Sequence, residues 1–228
     1  MNEHNYLQMQ QSYYDHEASR WSLQNRDPVV GWYAYHERHA DYDTMLFKDF
    51  DTTSLVALEY GCGPGRNLVR FAPRFQRVDG LDISAINLDK AALNLRDAGI
   101  PLPNLIHNDG QQIPVPDATY DVVFSVICLQ HICVHSIRYR IMSEIYRVLK
   151  PQGYFCAQMG FGGRPESVSY YDNHVNAQGT NGFCDVTIER EADLQHDLAT
   201  IGFREYRSDL RPPCQDRHAA WIWFQVTK

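Results

Sequence analysis

Three glycines at alternate positions, Gly61, Gly63 and Gly65, follow an apolar run and Glu59 in the stretch LEYGCGPGRN. Glycine tolerates a positive φ and has no Cβ, so such a loop can wrap a ligand closely with bare backbone. A dinucleotide fingerprint would need its third glycine at position 66, but Arg66 stands there. An acid beside a pyrophosphate would be repelled, so Glu59 indicates a ligand that carries a cation.

The chain alternates short apolar runs, which predict buried strands, with segments of helical periodicity. Five strands are predicted, from LVALEY at 55–60 to GYFCAQM at 153–159, with VDGLDI, NLIHND and YDVVFSVI between them. The helix after the second strand should follow Ser84 as its N-cap and stop at Gly99. Strands separated by helices form right-handed crossovers, so we predict an α/β fold with a doubly wound, mostly parallel sheet covered on both faces.

The C-terminal part of the sequence departs from this alternation. A helical segment, EADLQHDLATIGF, is followed by two strand-like runs, REYRSDLR and AAWIWFQV, with a short connection between them. Two strands joined by a short connection pair in antiparallel fashion. We therefore expect a closing hairpin at the far edge of the sheet.

Composition argues against several classes of function. The 228 residues include 21 basic and 28 acidic side chains, a net charge of −7, so no basic field is available to neutralise an extended nucleic acid. The N-terminus lacks the layout of a signal peptide and no apolar run could span a bilayer, so we expect a cytoplasmic protein without a membrane partner. Six scattered cysteines without a CxxC pair predict neither disulfides nor a zinc site.

These motifs resemble those of the class I S-adenosylmethionine-dependent methyltransferases. LEYGCGPGRN matches the first motif of that family, E/DxGxGxG. Asp82 in VDGLDIS matches the acid that takes both ribose hydroxyls, and Asp109 with Gly110 in HNDGQQIP matches the pair that reads the adenine amino edge. YDVVFSVICLQH resembles the fourth-strand motif beside the cofactor, and RVLKPQGYF resembles the stretch that enters the fifth strand. The ordered matches cover about residues 55–160.

The resemblance implies a seven-stranded sheet with a reversed final hairpin. It also implies S-adenosylmethionine as methyl donor, S-adenosylhomocysteine as product, and transfer by in-line displacement. Glu59 would balance the ammonium group of the cofactor, while Arg66 would either meet its carboxylate or point into water. The implied cofactor site comprises Tyr13, Glu59, Gly61, Cys62, Gly63, Gly65, Arg66, Asp82, Ile83, Asn108, Asp109, Gly110, Ser125, Val126 and Gln130.

In-line transfer mainly requires an aligned acceptor and the exclusion of water. YYDHEASRW resembles the aromatic N-terminal helix with which small-molecule members cover the cofactor, so Tyr14 or Tyr13 could face the sulfonium, or both could simply pack. His131 in LQHIC is the candidate base if the acceptor loses a proton, and a pocket-shaping residue otherwise. His36 and His39 fit a solvated helix face better than a metal site, so we predict no metal.

The acceptor side is assigned to the aperiodic segment 161–188, with the start of the last strand as a further contributor. An acidic chain without a recognition domain favours a small-molecule or sugar-type acceptor. An RNA or protein methyltransferase is the alternative, although SVIC at 125–128 replaces the N/DPPY-type stretch, and a non-catalytic cofactor-binding module is a third reading. The acceptor-side candidates are Arg164, Tyr170, Tyr171, Asn173, His174, His218 and Trp221.

The predicted organisation is a single domain over residues 1–228. Cap helices are expected over 1–50 and the cofactor-binding core over 51–160. The acceptor-side loop or lid is expected over 161–188, and the final helix and hairpin over 189–228.

Overall fold

The computed structural model describes residues 3–20, 42–48, 50–162, 168–172, 185–211 and 218–228. Within those ranges one sheet of nine strands forms the centre of the fold. The strands are β1 (Val56–Tyr60), β2 (Arg77–Asp82), β3 (Leu105–His107), β4 (Tyr120–Val126), β5 (Leu149–Phe161), β6 (Val168–Ser169), β7 (Val186–Ile188), β8 (Arg204–Arg211) and β9 (Ala220–Thr227).

Six α-helices accompany the sheet in the described ranges. The helix predicted after the second strand is confirmed: Ser84 caps it by accepting a hydrogen bond from the backbone N–H of Asn87 at 3.2 Å. Gly99 lies just beyond its end with a φ of 70°. The helices are α1 (Glu3–Ser19), α2 (Tyr42–Phe47), α3 (Arg66–Phe71), α4 (Ala85–Asp97), α5 (His135–Val148) and α6 (Glu191–Ile201), with 3₁₀ turns at Ala72–Arg74 and Leu129–His131.

The strand order explains where a ligand can bind. β3, β2, β1, β4 and β5 lie side by side in parallel, so β1 has β2 on one side and β4 on the other. The winding therefore reverses between β1 and β4, which is where open α/β sheets bind their ligands. At the other edge β9 runs antiparallel to both β5 and β8, so the predicted C-terminal hairpin is confirmed.

Both faces of the sheet are covered, as predicted for a doubly wound fold. Buried side chains of α2, α3 and α4 form one apolar cluster. Side chains of α5 and α6, together with Tyr6 and Leu7 of α1, form the other. Strands buried on both faces read as continuous apolar runs, which is why the central strands could be predicted from the sequence.

Two expectations are corrected. The sheet has nine strands instead of seven, because β6 and β7, of two and three residues, lie in the segment assigned to a loop and are too short to show alternation. The expectation of no disulfide is also wrong, because Cys133 is disulfide-bonded. Such pairing depends on the fold and leaves no spacing signal.

None of the described helices has the length and apolar character needed to cross a membrane.

Candidate active site

A cavity of about 610 Å³ lies at the carboxyl ends of β1, β2 and β4, where the winding reverses. The parallel strands bring to this edge the residues that follow each of them, although they are far apart in the sequence. Most of the predicted cofactor and catalytic residues line the cavity. They are Tyr13, Tyr14, Glu59, Gly61, Cys62, Gly63, Arg66, Asp82, Ile83, Asn108, Gly110, Val126 and His131.

The glycine loop is fixed to the end of the neighbouring strand. The backbone N–H groups of Gly61 and Cys62 both donate to the carbonyl of Leu81, at 2.8 and 3.0 Å. Gly61 has a φ of 75°, in the left-handed region that favours glycine. A Cβ there would lie 2.2 Å from the Sγ of Cys128, so glycine also allows the loop to meet the end of β4.

Glu59 is a buried acid at the floor of the cavity, with 2% of its surface exposed. Its Oε1 accepts a hydrogen bond from Asn67 Nδ2 at 2.6 Å, whereas its Oε2 has no hydrogen-bond partner among the described residues. Burial raises the pKa of Glu59 to about 8. A buried carboxylate without a full set of partners is costly, so this position favours a bound cation that would complete it.

Asp82 ends β2 on the opposite side of the glycine loop. Its carboxylate accepts from the backbone N–H groups of Gly63 at 2.8 Å and Ser84 at 2.9 Å. Burial raises the pKa of Asp82, and those backbone hydrogen bonds favour its charged form. The carboxylate is held in a fixed orientation at the cavity wall and retains capacity to accept from a ligand hydroxyl.

Helix α1 covers the cavity and carries two tyrosines to it. The rings of Tyr13 and Tyr14 meet edge to face, with centroids 5.3 Å apart. Burial raises the pKa of Tyr14 well above its ordinary value, so its hydroxyl stays protonated and can donate. The helix is tied to the body of the fold at both ends: Ser84 Oγ donates to Asp15 at 2.5 Å, and Ser136 Oγ donates to Glu3 at 2.6 Å.

The chain leaves β4 through a strained residue. Ile127 lines the cavity and has a φ of 53°, which is unusual for a β-branched residue. Its backbone N–H donates to Gln158 Oε1 at 3.0 Å, a side chain that is itself buried. This hydrogen bond helps to hold the sharp change of direction that brings Cys128 and His131 back over the cavity.

His131 contacts a carboxylate that the sequence did not single out. Its Nδ1 lies 3.1 Å from Oδ1 of Asp185, which immediately precedes β7. Its backbone carbonyl accepts from Gln10 Nε2 of α1 at 2.9 Å. The histidine is thus held by two elements that flank the cavity.

Four predicted cofactor residues do not line the cavity. Gly65 begins α3, where a Cβ would lie 2.9 Å from Cβ of Ala91, so it serves close packing of α3 on α4. Asp109 accepts from the backbone N–H groups of Gln111 and Gln112 and shapes the turn before Ile113. The other two are buried nearby: Ser125, whose Oγ donates to the Tyr60 carbonyl at 3.0 Å, and Gln130.

The acceptor-side candidates divide into three groups. Tyr170 is fully buried and donates to Asp197 at 2.8 Å, and neither it nor Tyr171 lines the cavity. His218 and Trp221 pack against each other, also away from the cavity. Arg164, Asn173, His174 and the two histidines His36 and His39 lie outside the described residues.

In the described ranges no cluster of three His, Cys, Asp or Glu side chains is placed to hold a metal ion.

Sequence reasoning missed several cavity residues that a stricter use of periodicity would have found. Gln10, Glu17 and Ala18 recur with the predicted Tyr13 and Tyr14 at the spacing of one helix face, and all of them line the cavity. Asn67, the partner of Glu59, stands in the quoted glycine stretch, but its residue type alone does not indicate a role. Asp185 had no local signal, because it meets His131 only through the fold.

Three features of the site lie together: the cavity at the switch point, the glycine loop after β1 and the acid at the end of β2. They are typical of α/β proteins that bind nucleoside-like ligands in this crevice. Comparison with known proteins shows which family the central part of the chain resembles. Residues 58–157 match the family described as "Methyltransferase domain". A "Probable S-adenosylmethionine-dependent methyltransferase" of Mycolicibacterium smegmatis is 34% identical over 98 residues, which are 43% of this chain and 35% of that protein.

A "Probable methyltransferase" of Aspergillus luteorubrus is 34% identical over 124 residues, or 51% of this chain and 44% of that protein. The matched region thus spans less than half the length of these two curated relatives. Among solved structures, the YcgJ protein of Bacillus subtilis has a TM-score of 0.65 at 14% identity, covering 84% of this chain and 99% of that one.

Phosphoethanolamine N-methyltransferase 2 of Haemonchus contortus, solved with phosphomonomethylethanolamine and S-adenosylhomocysteine, has a TM-score of 0.67 at 16% identity. The likeness covers 94% of this chain and 60% of that one. The domain match over residues 58–157, the named relatives and the shared fold agree in their similarity to the class I S-adenosylmethionine-dependent methyltransferases, and they support an enzyme of that kind.

The residues at the cavity fit the cofactor of that family, S-adenosylmethionine. The Glu59 oxygen without a partner is suited to the ammonium group of the methionine end. The loop at Gly61 brings bare backbone beside it, and Asp82 presents a carboxylate suited to a diol.

Binding of S-adenosylhomocysteine should release a proton from Glu59. At about pH 7 the carboxyl is mostly protonated in the free protein because its pKa is about 8, and an ammonium group beside it favours the charged form. Affinity should therefore rise from about pH 6 to pH 8, by up to about tenfold per unit. Calorimetry in two buffers of different ionisation heat measures the released proton.

Glu59→Gln should abolish this proton release and flatten the pH dependence. Asp89→Asn, which removes one exposed charge from α4, is the control and should behave like the wild type. Equal binding heats in both buffers for the wild type would contradict the assignment.

Gly61→Ala should weaken S-adenosylhomocysteine binding by about tenfold or more, because the added Cβ would collide with Cys128 at the cavity wall. Gly99→Ala is the matched control: its φ of 70° imposes similar backbone strain, but a Cβ there meets open space. Gly99→Ala should lose about 1–2 kcal/mol of unfolding free energy through backbone strain alone, and Gly61→Ala should lose more because its Cβ also collides with Cys128. Urea unfolding and calorimetry separate the two effects, and an equal loss of affinity in both variants would disprove the steric argument.

Proposed function

We propose that this chain transfers a methyl group from S-adenosylmethionine, by in-line displacement, to a small metabolite or a sugar-type acceptor. The observation that supports it most is the buried Glu59 oxygen at the glycine loop, which lacks a partner among the described residues and faces a cavity of small-molecule size. When bound, the cofactor supplies a methyl group activated by a positive sulfur.

Each part of the cavity then has a distinct role in binding. Asp82 accepts both ribose hydroxyls, and Glu59 balances the ammonium group. Asn108 and Gly110, which follow β3, contact the adenine side, with the turn at Asp109 holding them in place. Arg66 lines the cavity next to Asn67 and meets the cofactor carboxylate. Gly65, Ser125 and Gln130 support the wall from behind it.

The acceptor is aligned from the side of α1. Tyr14 lies over the cavity as a neutral hydroxyl that can face the sulfonium or orient an acceptor, and Tyr13 flanks it. His131 lines the same cavity. Because α1 covers the space, water is kept from the reacting groups, which is the main demand of this chemistry.

A small acceptor agrees with two further observations. The chain carries a net charge of −7, which disfavours a polyanionic acceptor such as RNA. The Haemonchus contortus enzyme of similar fold was solved with a small phosphorylated amine. We also propose a single domain with the divisions predicted from the sequence, since α1 and α2 pack on the same sheet as the cofactor-binding core.

Asp82→Ala should weaken S-adenosylhomocysteine binding at least about tenfold, because it removes charge-assisted bonds of about 1.5–3 kcal/mol each. Asp89→Ala, the same change at an exposed position of α4, should leave the affinity within about twofold. Calorimetry measures both. Unchanged affinity in Asp82→Ala would contradict the assignment of the cavity.

Formation of S-adenosylhomocysteine from S-adenosylmethionine tests the reaction itself. A panel of small amines, phenols and sugars should support it, whereas total RNA and an unfolded protein substrate should not. Transfer confined to RNA or protein would overturn the proposed acceptor class.

A further inference from the structure

A carboxylate orients the ring of His131 from outside the methyltransferase motifs. Oδ1 of Asp185 lies 3.1 Å from Nδ1 of His131, and the two side chains are only 9% and 13% exposed. A carboxylate can only accept, so the neutral ring carries its proton on Nδ1. Its lone pair then lies on Nε2, the nitrogen with which an imidazole can take a proton.

The backbone on both sides of this pair is also fixed. Gln10 Nε2 donates to the His131 carbonyl at 2.9 Å, and the His131 N–H donates to the Cys128 carbonyl at 2.9 Å. The Asp185 carbonyl accepts from the N–H of Val168 at 2.9 Å, where β6 meets β7. The ring is therefore held by α1, by the turn after β4 and by the start of β7.

The other proton-accepting groups around the cavity are poorly suited to act as a base. Burial raises the pKa of both Tyr14 and Cys128, so each stays protonated at neutral pH. Glu59 and Asp82 accept hydrogen bonds from Asn67 and from backbone N–H groups at the cofactor end. Burial also raises the pKa of Tyr13, Tyr60 and Cys62, which line the same cavity. Of the other two titratable groups there, Glu17 pairs with Arg20 at 3.2 Å and Arg66 cannot accept a proton.

We propose that Asp185 is a positioning residue that holds His131 as a general base, and that the methyl acceptor is a hydroxyl or an amine that must lose a proton. This inference rests on the proposed methyl transfer. As the acceptor atom bonds to the methyl carbon, the bond from that carbon to sulfur breaks and its electron pair stays on sulfur. The acceptor proton moves to Nε2 of His131, and the resulting imidazolium is stabilised by the Asp185 carboxylate.

Nitrogen-15 spectra of the histidine rings test the orientation without any acceptor. The wild type saturated with S-adenosylhomocysteine should show His131 protonated on Nδ1 and bare on Nε2. Asp185→Asn should move the neutral ring toward the Nε2–H tautomer, and Asp185→Glu should restore the original one. Asp172→Asn, the same change at an exposed acid shortly after β6, is the matched control and should change nothing. A ring protonated on Nε2 in the wild type would overturn the inference.

Rates of S-adenosylhomocysteine formation test the role as a base, with a phenol and a primary amine as probes and a thioether as the acceptor without a proton. Asp185→Asn should lower kcat by about 10- to 100-fold at similar KM, a part of the 10²- to 10⁴-fold that a base contributes. Asp185→Glu should recover part of the rate.

The two proposals fail in different ways. A wild type that neither binds S-adenosylhomocysteine nor turns over any probe would contradict the proposed function. Asp185→Asn that keeps the wild-type kcat and KM, or transfer to the thioether alone, would overturn only the role of Asp185 and His131. Calorimetry with S-adenosylhomocysteine should give the same affinity within about twofold for all Asp185 variants, which shows that each is folded.

Discussion

Every part of the candidate site lies at one edge of the sheet because β1 pairs in parallel with β2 on one side and with β4 on the other. Parallel pairing puts the carboxyl ends of three strands together, and the Leu81 carbonyl then anchors the glycine loop between them. As a result, the positions of Glu59 and Asp82 are set by the backbone pairing of β1 and β2. The acidic character of the cavity thus follows from strand order.

Burial gives these acids their chemical character. In water each would be an ordinary carboxylate, but here Glu59 is enclosed and its pKa is raised to about 8, while backbone N–H groups hold Asp82. The fold therefore places a carboxyl group with one unpaired oxygen among the described residues at one end of the cavity, and beside it a carboxylate that backbone N–H groups hold in place. A ligand with a cation at one end and a diol near its middle complements both.

The central strands, the cap of α4 and the C-terminal hairpin could be predicted because each has a local cause: continuous apolar runs, a serine at an N-cap and a short connection. The glycine loop was equally readable, since its backbone conformation requires the residue type. β6, β7 and the bond of Cys133 were not predictable, because they depend on segments brought together only by folding. The site divides in the same way into predictable and unpredictable residues. Glu59 and Asp82 could be predicted because they stand in sequence motifs, whereas Asp185 contacts His131 from 54 positions away in the chain. Predicted residues such as Asp109 lie beside the cavity rather than in it, because an acid in such a motif can hold a turn as readily as it can contact a ligand.

The left-handed conformation of Ile127 bears on how this protein could be engineered. A branched side chain in that region costs about 1–2 kcal/mol relative to a relaxed backbone, and glycine or asparagine would relieve that strain. A search for thermostabilising substitutions would therefore select position 127. The isoleucine side chain nevertheless forms part of the cavity wall, so the gain in heat resistance would come with a looser site. Stability and activity compete at this residue, so a library of thermostabilising substitutions should leave Ile127 unchanged.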